Sequence, residues 1–302
     1  MNQGAFESYA TSHTEPWRLY CATVHDRLNE MTRAIEVDVN IGGFQQSRDG
    51  LDMLKPLIHA RQHPITLLFD IVDGLRHEIS LTEDPIERAV LFRDMWLTEL
   101  EASNPMRLGN IVSMRYVEGK RGNKKDKVNL YRLEDGSWNL KYEIGELKNG
   151  CWRGRYNLPL NPAIWKDTEE YIYVHRPLLA GADQCDFVLR PNPCYLKTLH
   201  GSEGSEAVRC SMNPSNISSR FKIYSHQFIT GCSGFGLHGC RHIVATEWIK
   251  NHPGAYAIAA VVLHDSEEMV KTTYNWCEPK DVAVFWQSYL QELLRAEKIG
   301  SR

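Results

Sequence analysis

The stretch that decides the fold begins LHGCRH at Leu237 and ends at Tyr274. His238 and Arg241 are three residues apart in a segment of helical character, so both are expected on one face, within reach of a common ligand. His264 follows where an apolar run stops, and Tyr274 comes ten residues later in a short capped helix. These four side chains are suited to binding a phosphate group and to attacking it.

A further arginine lies upstream, directly after a predicted helix. Asp84 is a cap residue followed by proline, and the helix that it opens is expected to run to about Ala102. Asn104 ends this helix because a residue before proline is disfavoured in the helical conformation. Arg107 follows at once, ahead of a short apolar helix.

Three predicted strands follow, at residues 128–133, 138–146 and 155–160, with Gly-containing turns between them. They predict a three-stranded antiparallel sheet, and Lys148 lies in its second turn. Helical spacing also predicts helices over 65–79 and 217–228. A further helix is expected over residues 169–179. A last helix from Pro279 carries an apolar stripe from Val282 to Leu294, which packs either on the protein's own core or on a neighbouring subunit.

Six residues now stand in a recognisable order: Arg107, Lys148, His238, Arg241, His264 and Tyr274. In this order, over about residues 64–296, the sequence resembles the catalytic domain of the tyrosine recombinases, the phage-integrase family. The resemblance implies a mainly α-helical fold with a small three-stranded antiparallel β-sheet. It implies a catalytic domain over residues 64–302, and residues 1–60 are expected to form a short helical segment, part of the family's core DNA-binding region.

What the resemblance implies about function is specific. The protein would be a site-specific recombinase or integrase that cleaves and rejoins double-stranded DNA through a 3′-phosphotyrosyl intermediate on Tyr274. Arg107 and Arg241 would clamp the phosphate, and His238 would take the tyrosine proton. Lys148 would protonate the leaving 5′ oxygen, and His264 would hydrogen-bond the phosphate. No metal or nucleotide cofactor is implied, and the expected assembly on DNA is a homo-oligomer, a tetrameric synapse.

The sequence departs from the family's pattern at three points. Asn104-Pro105 replaces the usual Thr-Gly before Arg107, and Asn110 stands where an acidic residue is usual. The interval from His264 to Tyr274 is about one residue longer than in many relatives.

The charge of the chain is unevenly distributed. The net charge is −3, which by itself argues against a nucleic-acid-binding protein, since phosphate binding usually leaves a basic footprint. Residues 115–127 hold six cationic residues and two acidic ones, so this segment is +4 and the remainder is −7. Its candidate DNA-binding residues are Arg115, Lys120, Arg121, Lys124, Lys125 and Lys127.

Composition narrows the class of protein. Apolar residues make up 42% and charged residues 24%, which is typical of a globular protein. The eight cysteines include no CxxC pair, so reduced thiols are expected. No apolar run approaches the length of a membrane span and no signal segment is recognisable, so no membrane partner and a cytoplasmic location are expected.

Three rival interpretations of the central stretch are weak. Gly234, Gly236 and Gly239 fit a dinucleotide-binding pattern, but helical periodicity precedes them. The segment around Ser233 lacks the final glycine of a nucleophile elbow. A zinc site would need Cys232, His238, Cys240 and His242, whose spacing matches no common structural pattern.

Two alternatives remain open within DNA chemistry. A type IB topoisomerase uses the same reaction on a single duplex. A non-catalytic DNA-binding remnant of a recombinase would fit the short N-terminal segment and the acidic overall charge.

Overall fold

The computed structural model describes residues 51–120, 127–179, 185–193 and 211–300, together with residues 23, 24, 26 and 27. Residues 50–302 form one compact unit. The helices of this unit are α1 (Leu51–Ala60), α2 (Thr66–Leu81), α3 (Pro85–Ser103), α4 (Leu108–Ser113), α5 (Gly150–Arg153), α6 (Trp165–Glu170), α7 (Pro214–Phe228), α8 (His238–Asn251), α9 (Tyr256–Val262), α10 (Glu267–Met269) and α11 (Pro279–Gly300). The strands are β1 (Leu130–Arg132), β2 (Trp138–Tyr142) and β3 (Tyr156–Pro159).

The long helices α2 and α3 pack against each other at the start of the fold. Apolar residues recur on α2 at helical spacing, and Leu68, Val72 and Leu75 are buried. The Asp84 carboxylate accepts hydrogen bonds from the first backbone N–H groups of α3 and so fixes where that helix begins. Both helices confirm the sequence prediction to within a few residues.

The three strands form an antiparallel sheet in the order β1, β2, β3. Leu140 is central to it, because it pairs with Leu130 on one side and with Leu158 on the other. Alternate residues of β2 are buried, as expected for a sheet with one face on the core. Together with the helices, the sheet confirms a mainly α-helical fold with a small three-stranded antiparallel sheet.

Two element boundaries differ from the sequence prediction. Strand β2 ends at Tyr142, and residues 144–146 form a 3-10 turn because Glu143 and Glu146 cap each other's backbone. The helix expected over residues 169–179 is instead a succession of α6, a π-helical turn (Tyr171–His175) and a 3-10 turn (Arg176–Leu178).

The buried apolar residues form two clusters. The larger one extends from α1 to the first half of α8 and includes the inner face of the sheet. The smaller one lies between the second half of α8, α9 and a π-helical turn over Val270–Tyr274 that continues α10. Arg241 precedes the point on α8 where one cluster gives way to the other, and the candidate site is built there.

Candidate active site

Two arginines from distant parts of the chain bind the same carboxylate. Arg107 directly precedes α4, and its Nη2 donates to Oδ2 of Asp265 at 2.6 Å. Arg241 lies in the first turn of α8, and its Nη2 donates to the same oxygen at 3.1 Å. Asp265 is only 1% exposed. A buried carboxylate is costly unless cations neutralise it, and here two guanidinium groups do so.

The guanidinium of Arg241 is enclosed by protein, with a residue exposure of 1%. Its Nη1 donates to the carbonyl oxygen of Pro105 at 2.6 Å, and its Nη2 donates to that of Leu263 at 2.9 Å. These carbonyls follow α3 and α9, so the arginine ties the ends of both helices to α8. Buried side chains of this kind need a partner for each polar atom, and the main chain supplies two of the four partners of Arg241.

Tyr274 completes the same cluster. Its hydroxyl oxygen accepts a hydrogen bond from Nε of Arg241 at 3.3 Å, and the guanidinium carbon lies 4.9 Å from the centre of its ring. The rings of His238 and His242 lie 5.7 Å and 5.0 Å from the tyrosine ring, measured between centroids. Tyr274 is 3% exposed, whereas His238 is exposed at the first residue of α8.

The imidazole of His264 contacts residues at the start of strand β3 and does not contact the guanidinium groups of Arg107 and Arg241. Its Nε2 lies 3.2 Å from the carbonyl oxygen of Gly154, and its ring packs edge-on against Tyr156. Only its backbone carbonyl faces Arg107, whose Nη1 donates to it at 3.4 Å. Burial lowers the pKa of His264, the Gly154 carbonyl opposes this, and the nearby Arg107 and Arg153 lower it further.

The connection from β2 to β3 reaches the site through Asn149. Its Nδ2 donates to Oδ1 of Asp265 at 3.0 Å. Lys148, the preceding residue, has an exposed side chain in the turn before α5. The structure therefore brings the loop that carries Lys148 beside the arginine cluster, as a turn followed by one helical turn rather than as a tight hairpin.

A second carboxyl group lies below the cluster. Glu101 is 0% exposed, and its Oε1 accepts a hydrogen bond from the backbone N–H of Met106 at 3.1 Å. Burial raises the pKa of Glu101 well above its ordinary value, and Arg241 only partly opposes this. The two arginines donate to Asp265 and not to Glu101 in the hydrogen bonds of the described residues, so Asp265 is their counter-ion.

The basic segment is described only in part. Lys120 and Lys127 are exposed, while the guanidinium carbon of Arg115 stacks 4.5 Å from the ring centre of Phe187. Arg121, Lys124 and Lys125 lie outside the described residues. The segment begins two residues after α4, the short helix that follows Arg107.

The rival interpretations find no support in the geometry. Residues 257–263 would be the second strand of a dinucleotide site, but they lie in helix α9 and at its C-terminal cap. Across residues 51–120, 127–179, 185–193 and 211–300, no three His, Cys, Asp or Glu side chains are grouped so as to hold a metal ion. No described helix combines the length and the apolar character that crossing a membrane requires.

Sequence reasoning missed three residues of this cluster, namely Asp265, Asn149 and His242. His242 lies one helical turn after His238, so its position on the same face was recognisable. Asp265 reads as the start of a helix-capping turn, and Ser266 does cap α10. Nothing local indicates that the Asp265 side chain reaches Arg107, 158 residues away in sequence.

No protein-family model and no curated protein matches the sequence. A crystal structure of XerA recombinase is similar, with a TM-score of 0.46 and 12% sequence identity. The match covers 74% of this chain and 61% of that one, so this chain spans less than two thirds of the recombinase.

Proposed function

We propose that this chain cleaves and rejoins DNA strands, with Tyr274 as the nucleophile. The observation that carries the proposal is the hydrogen-bonded cluster in which Arg241 joins the Tyr274 hydroxyl to Asp265 and Arg107. Nucleophilic attack on a phosphodiester requires cations and a nucleophile close together, and Arg107, Arg241 and the Tyr274 phenol provide them. The cations stabilise charge on the phosphate, and the phenol forms the covalent bond.

The proposed reaction proceeds in balanced steps. Oη of Tyr274 attacks phosphorus, the bond to the 5′ oxygen breaks, and the electron pair of that bond leaves with the oxygen. His238, whose ring centre lies 5.7 Å from that of Tyr274, takes the phenolic proton. Arg107 and Arg241 bind the non-bridging oxygens as their negative charge grows. The energy of the phosphodiester is kept in the phosphotyrosyl bond, so rejoining needs no nucleotide.

Two further roles belong to residues near the cluster. Lys148 protonates the leaving 5′ oxygen, which its exposed position in the loop beside Asn149 allows. His264 hydrogen-bonds the phosphate in this scheme. Its Nε2 now bonds to the carbonyl of Gly154, so the phosphate would be bound either by Nδ1, which makes no hydrogen bond within the described residues, or by Nε2 after it leaves that carbonyl.

Access to the cluster requires a rearrangement. Tyr274 is 3% exposed and Arg241 1% exposed, so a DNA strand cannot contact them in the present conformation. Tyr274 ends a π-helical turn, a geometry that often marks a functional position in a helix. We propose that residues 270–278 move outward on DNA and carry the hydroxyl to the strand.

The same burial favours a second candidate function. A chain in which Arg241 and Tyr274 remain enclosed would bind DNA without cleaving it. In such a protein the basic segment at residues 115–127 would bind DNA, and the arginine cluster would only stabilise the fold. The two candidates differ in one observable, the covalent bond between protein and DNA.

The partners follow from the proposal. Double-stranded DNA would contact the basic segment, through Lys120 and Lys127 and through the cationic residues between them. Strand exchange needs two duplexes, and a second copy of this chain would meet the apolar stripe of α11. Its exposed members include Phe285, Trp286 and Tyr289, with exposures of 43%, 53% and 46%. Residues 64–302 would be the catalytic domain.

The experiment that tests the proposal uses an end-labelled duplex with a nick near the cleavage point. Cleavage releases a short fragment and leaves protein attached to the labelled strand, which migrates slowly on a denaturing gel. Because the target sequence is unknown, a library of duplexes is used and the trapped strands are sequenced. Joined products from two duplexes indicate recombination, whereas relaxation of one supercoiled plasmid alone indicates a topoisomerase. Absence of any adduct from the library supports the non-cleaving candidate.

A further inference from the structure

Asp265 makes more contacts with the arginine cluster than any neighbouring acid. Its Oδ2 accepts from Arg107 at 2.6 Å and from Arg241 at 3.1 Å. Its Oδ1 accepts from Asn149 at 3.0 Å and from the backbone N–H of Ser266 at 3.1 Å. Its own backbone N–H donates to the carbonyl of Ala260. Both carboxylate oxygens and the main chain of Asp265 are therefore fixed.

Arg107 has no carboxylate partner on its own helix. Helix α4 reads LGNIVS and contains no acidic residue. The side chain of Asn110, three residues after Arg107, donates instead to the carbonyl of Glu146 at 2.8 Å. An arginine before a short helix without such a partner would sample many rotamers, because its side chain has four rotatable bonds. Asp265 supplies that partner from the other end of the chain.

The two arginines differ in what they leave for a ligand. Arg241 makes four hydrogen bonds within the protein, to Tyr274, Pro105, Leu263 and Asp265. The side chain of Arg107 is 22% exposed, and its bonds within the described residues involve only Nη1 and Nη2. A guanidinium has five N–H donors. Most donors of Arg107 thus remain for a phosphate, while Asp265 holds its orientation.

We propose that Asp265 is the positioning residue of the phosphate clamp, and this rests on the proposed function. Its carboxylate holds Arg107 and Arg241 at a fixed separation, and this separation is kept when Tyr274 moves outward to the strand. It stays in place when DNA binds, since it is buried and both of its oxygens are shared with the protein. Asp265 touches neither the phosphate nor the attacking oxygen.

The test compares Asp265→Asn with wild type in single-turnover cleavage of the nicked duplex. The amide keeps the size of the side chain but presents either an uncharged oxygen or N–H donors to the guanidinium groups. We expect adduct formation to slow by about 100-fold, as for loss of one preorganised electrostatic contact. We expect DNA affinity to change by less than about threefold, because the basic segment is intact. The loss should be equal at every pH from 6 to 9, since neither an acid nor a base of the reaction has been removed.

A matched control is Glu267→Gln, which removes one negative charge two residues away on an exposed side chain. It should cleave at the wild-type rate. Should Asp265→Asn fail to fold, Asn149→Ala removes only the contact at Oδ1 and should slow cleavage by about tenfold. Wild-type or faster cleavage by whichever of these site variants folds would overturn the proposal, because it would identify Asp265 as a competitor of the phosphate.

A second measurement separates this proposal from the proposed function. Phenylglyoxal modifies accessible arginines, and peptide mass spectrometry gives the rate at Arg107 without any DNA. Asp265→Asn should be modified at Arg107 several-fold faster than wild type, while Arg88, an exposed arginine on α3, reacts equally in both. If no adduct ever forms with DNA but this difference is found, the cleavage function fails and the positioning of Arg107 stands. Equal rates at Arg107 would contradict the positioning directly.

Discussion

Nε of Arg241 lies 3.3 Å from the hydroxyl oxygen of Tyr274, inside the protein. The same guanidinium binds Asp265 and the carbonyls that follow α3 and α9. The Arg241 side chain thus connects Tyr274, the candidate nucleophile, with Asp265, the arginine's own counter-ion, and it joins α8 to the ends of α3 and α9. Arg241 therefore has a structural role as well as a chemical one. The two roles make different predictions for the two arginines of the cluster.

Replacement of Arg241 should destabilise the fold more than replacement of Arg107. Arg241→Ala leaves the carbonyls of Pro105 and Leu263 and part of the Asp265 charge without a donor. We expect a loss of about 3 to 5 kcal/mol in the free energy of unfolding, the range for breaking a buried ion pair. Arg107→Ala removes a partly exposed partner and should cost about 1.5 to 3 kcal/mol. Urea unfolding followed by circular dichroism measures both, and equal losses would contradict the structural role of Arg241.

The cationic segment at residues 115–127 should control affinity for DNA and its salt dependence. Neutralising Lys120, Arg121, Lys124 and Lys125 to glutamine removes up to four phosphate contacts. The slope of log K against log salt should then become shallower by up to about 3.6. Fluorescence anisotropy with a labelled duplex at several salt concentrations measures the slope.

The control for this variant removes the same charge from elsewhere. Four exposed cationic residues outside the segment serve for it: Lys166, Lys222, Lys280 and Arg295. Their replacement by glutamine should leave most of the slope in place. If both variants lose the same amount, binding depends on net charge and the segment has no special part in it.

The apolar stripe of α11 should act between subunits. Trp286, Tyr289 and Leu293 are 53%, 46% and 45% exposed, so their replacement by serine does not open a cavity. Aromatic anchors dominate many interfaces. We therefore expect the amount of paired-duplex complex to fall by about tenfold or more in the triple variant. Adduct formation on a single duplex should continue. Gel-shift assays with two duplexes of different length measure pairing.

Gln287→Ser with Gln291→Ser is the matched control, because both residues are exposed on the same helix and lie outside the stripe. This pair should assemble like wild type. If the triple serine variant loses its fold instead, the stripe packs within the subunit.

His264 should make stability sensitive to mild acid. Burial lowers the pKa of His264 below its ordinary value of 6.5. Between that lowered value and 6.5 the unfolded chain binds a proton that the native chain does not, so native stability falls as the pH drops through this window. His264→Asn suits the left-handed backbone, with φ of 48°, and cannot titrate. Its urea midpoint should fall less than that of wild type between pH 7.5 and pH 5.

His77→Asn serves as the control, since His77 is exposed on α2 and outside the site. This variant should keep the acid sensitivity of wild type. An unchanged acid sensitivity in His264→Asn would show that other groups cause it.

Local patterns predicted the elements better than they predicted the site. The Asp84 cap, the apolar spacing of α2 and the turns of the sheet are encoded within a few residues, so helices and strands follow from the sequence. Strand β2 ends earlier than predicted because Glu143 and Glu146 cap each other's backbone, and this capping competes with further strand pairing. In the sequence, the capping pair is a short-range signal that is weaker than the strand propensity of the residues around it. The Asp265 contacts with Arg107 and Asn149 depend on how distant elements pack, which no local pattern contains.

The apolar pattern of α11 shows the same limit. Its spacing predicts an apolar face but not which surface that face meets. The structure leaves Trp286 and Tyr289 about half exposed in this chain. A pattern of hydrophobic residues therefore identifies a face to be covered, and only the packing of the remaining elements decides whether the subunit itself covers it.

Whether Tyr274 is the nucleophile is decided by the reaction of Tyr274→Phe with the nicked, labelled duplex. The phenyl ring keeps its packing against His238 and His242 but has no oxygen to attack phosphorus, so fold and DNA affinity should match wild type. Tyr256→Phe, which alters a partly exposed tyrosine ahead of His264, is the control and should still form the adduct. We expect a slowly migrating band in wild type and in Tyr256→Phe that is missing in Tyr274→Phe, with the labelled peptide mapping to Tyr274. An adduct that persists in Tyr274→Phe, or that maps to another residue, would contradict the assignment of Tyr274 as the nucleophile.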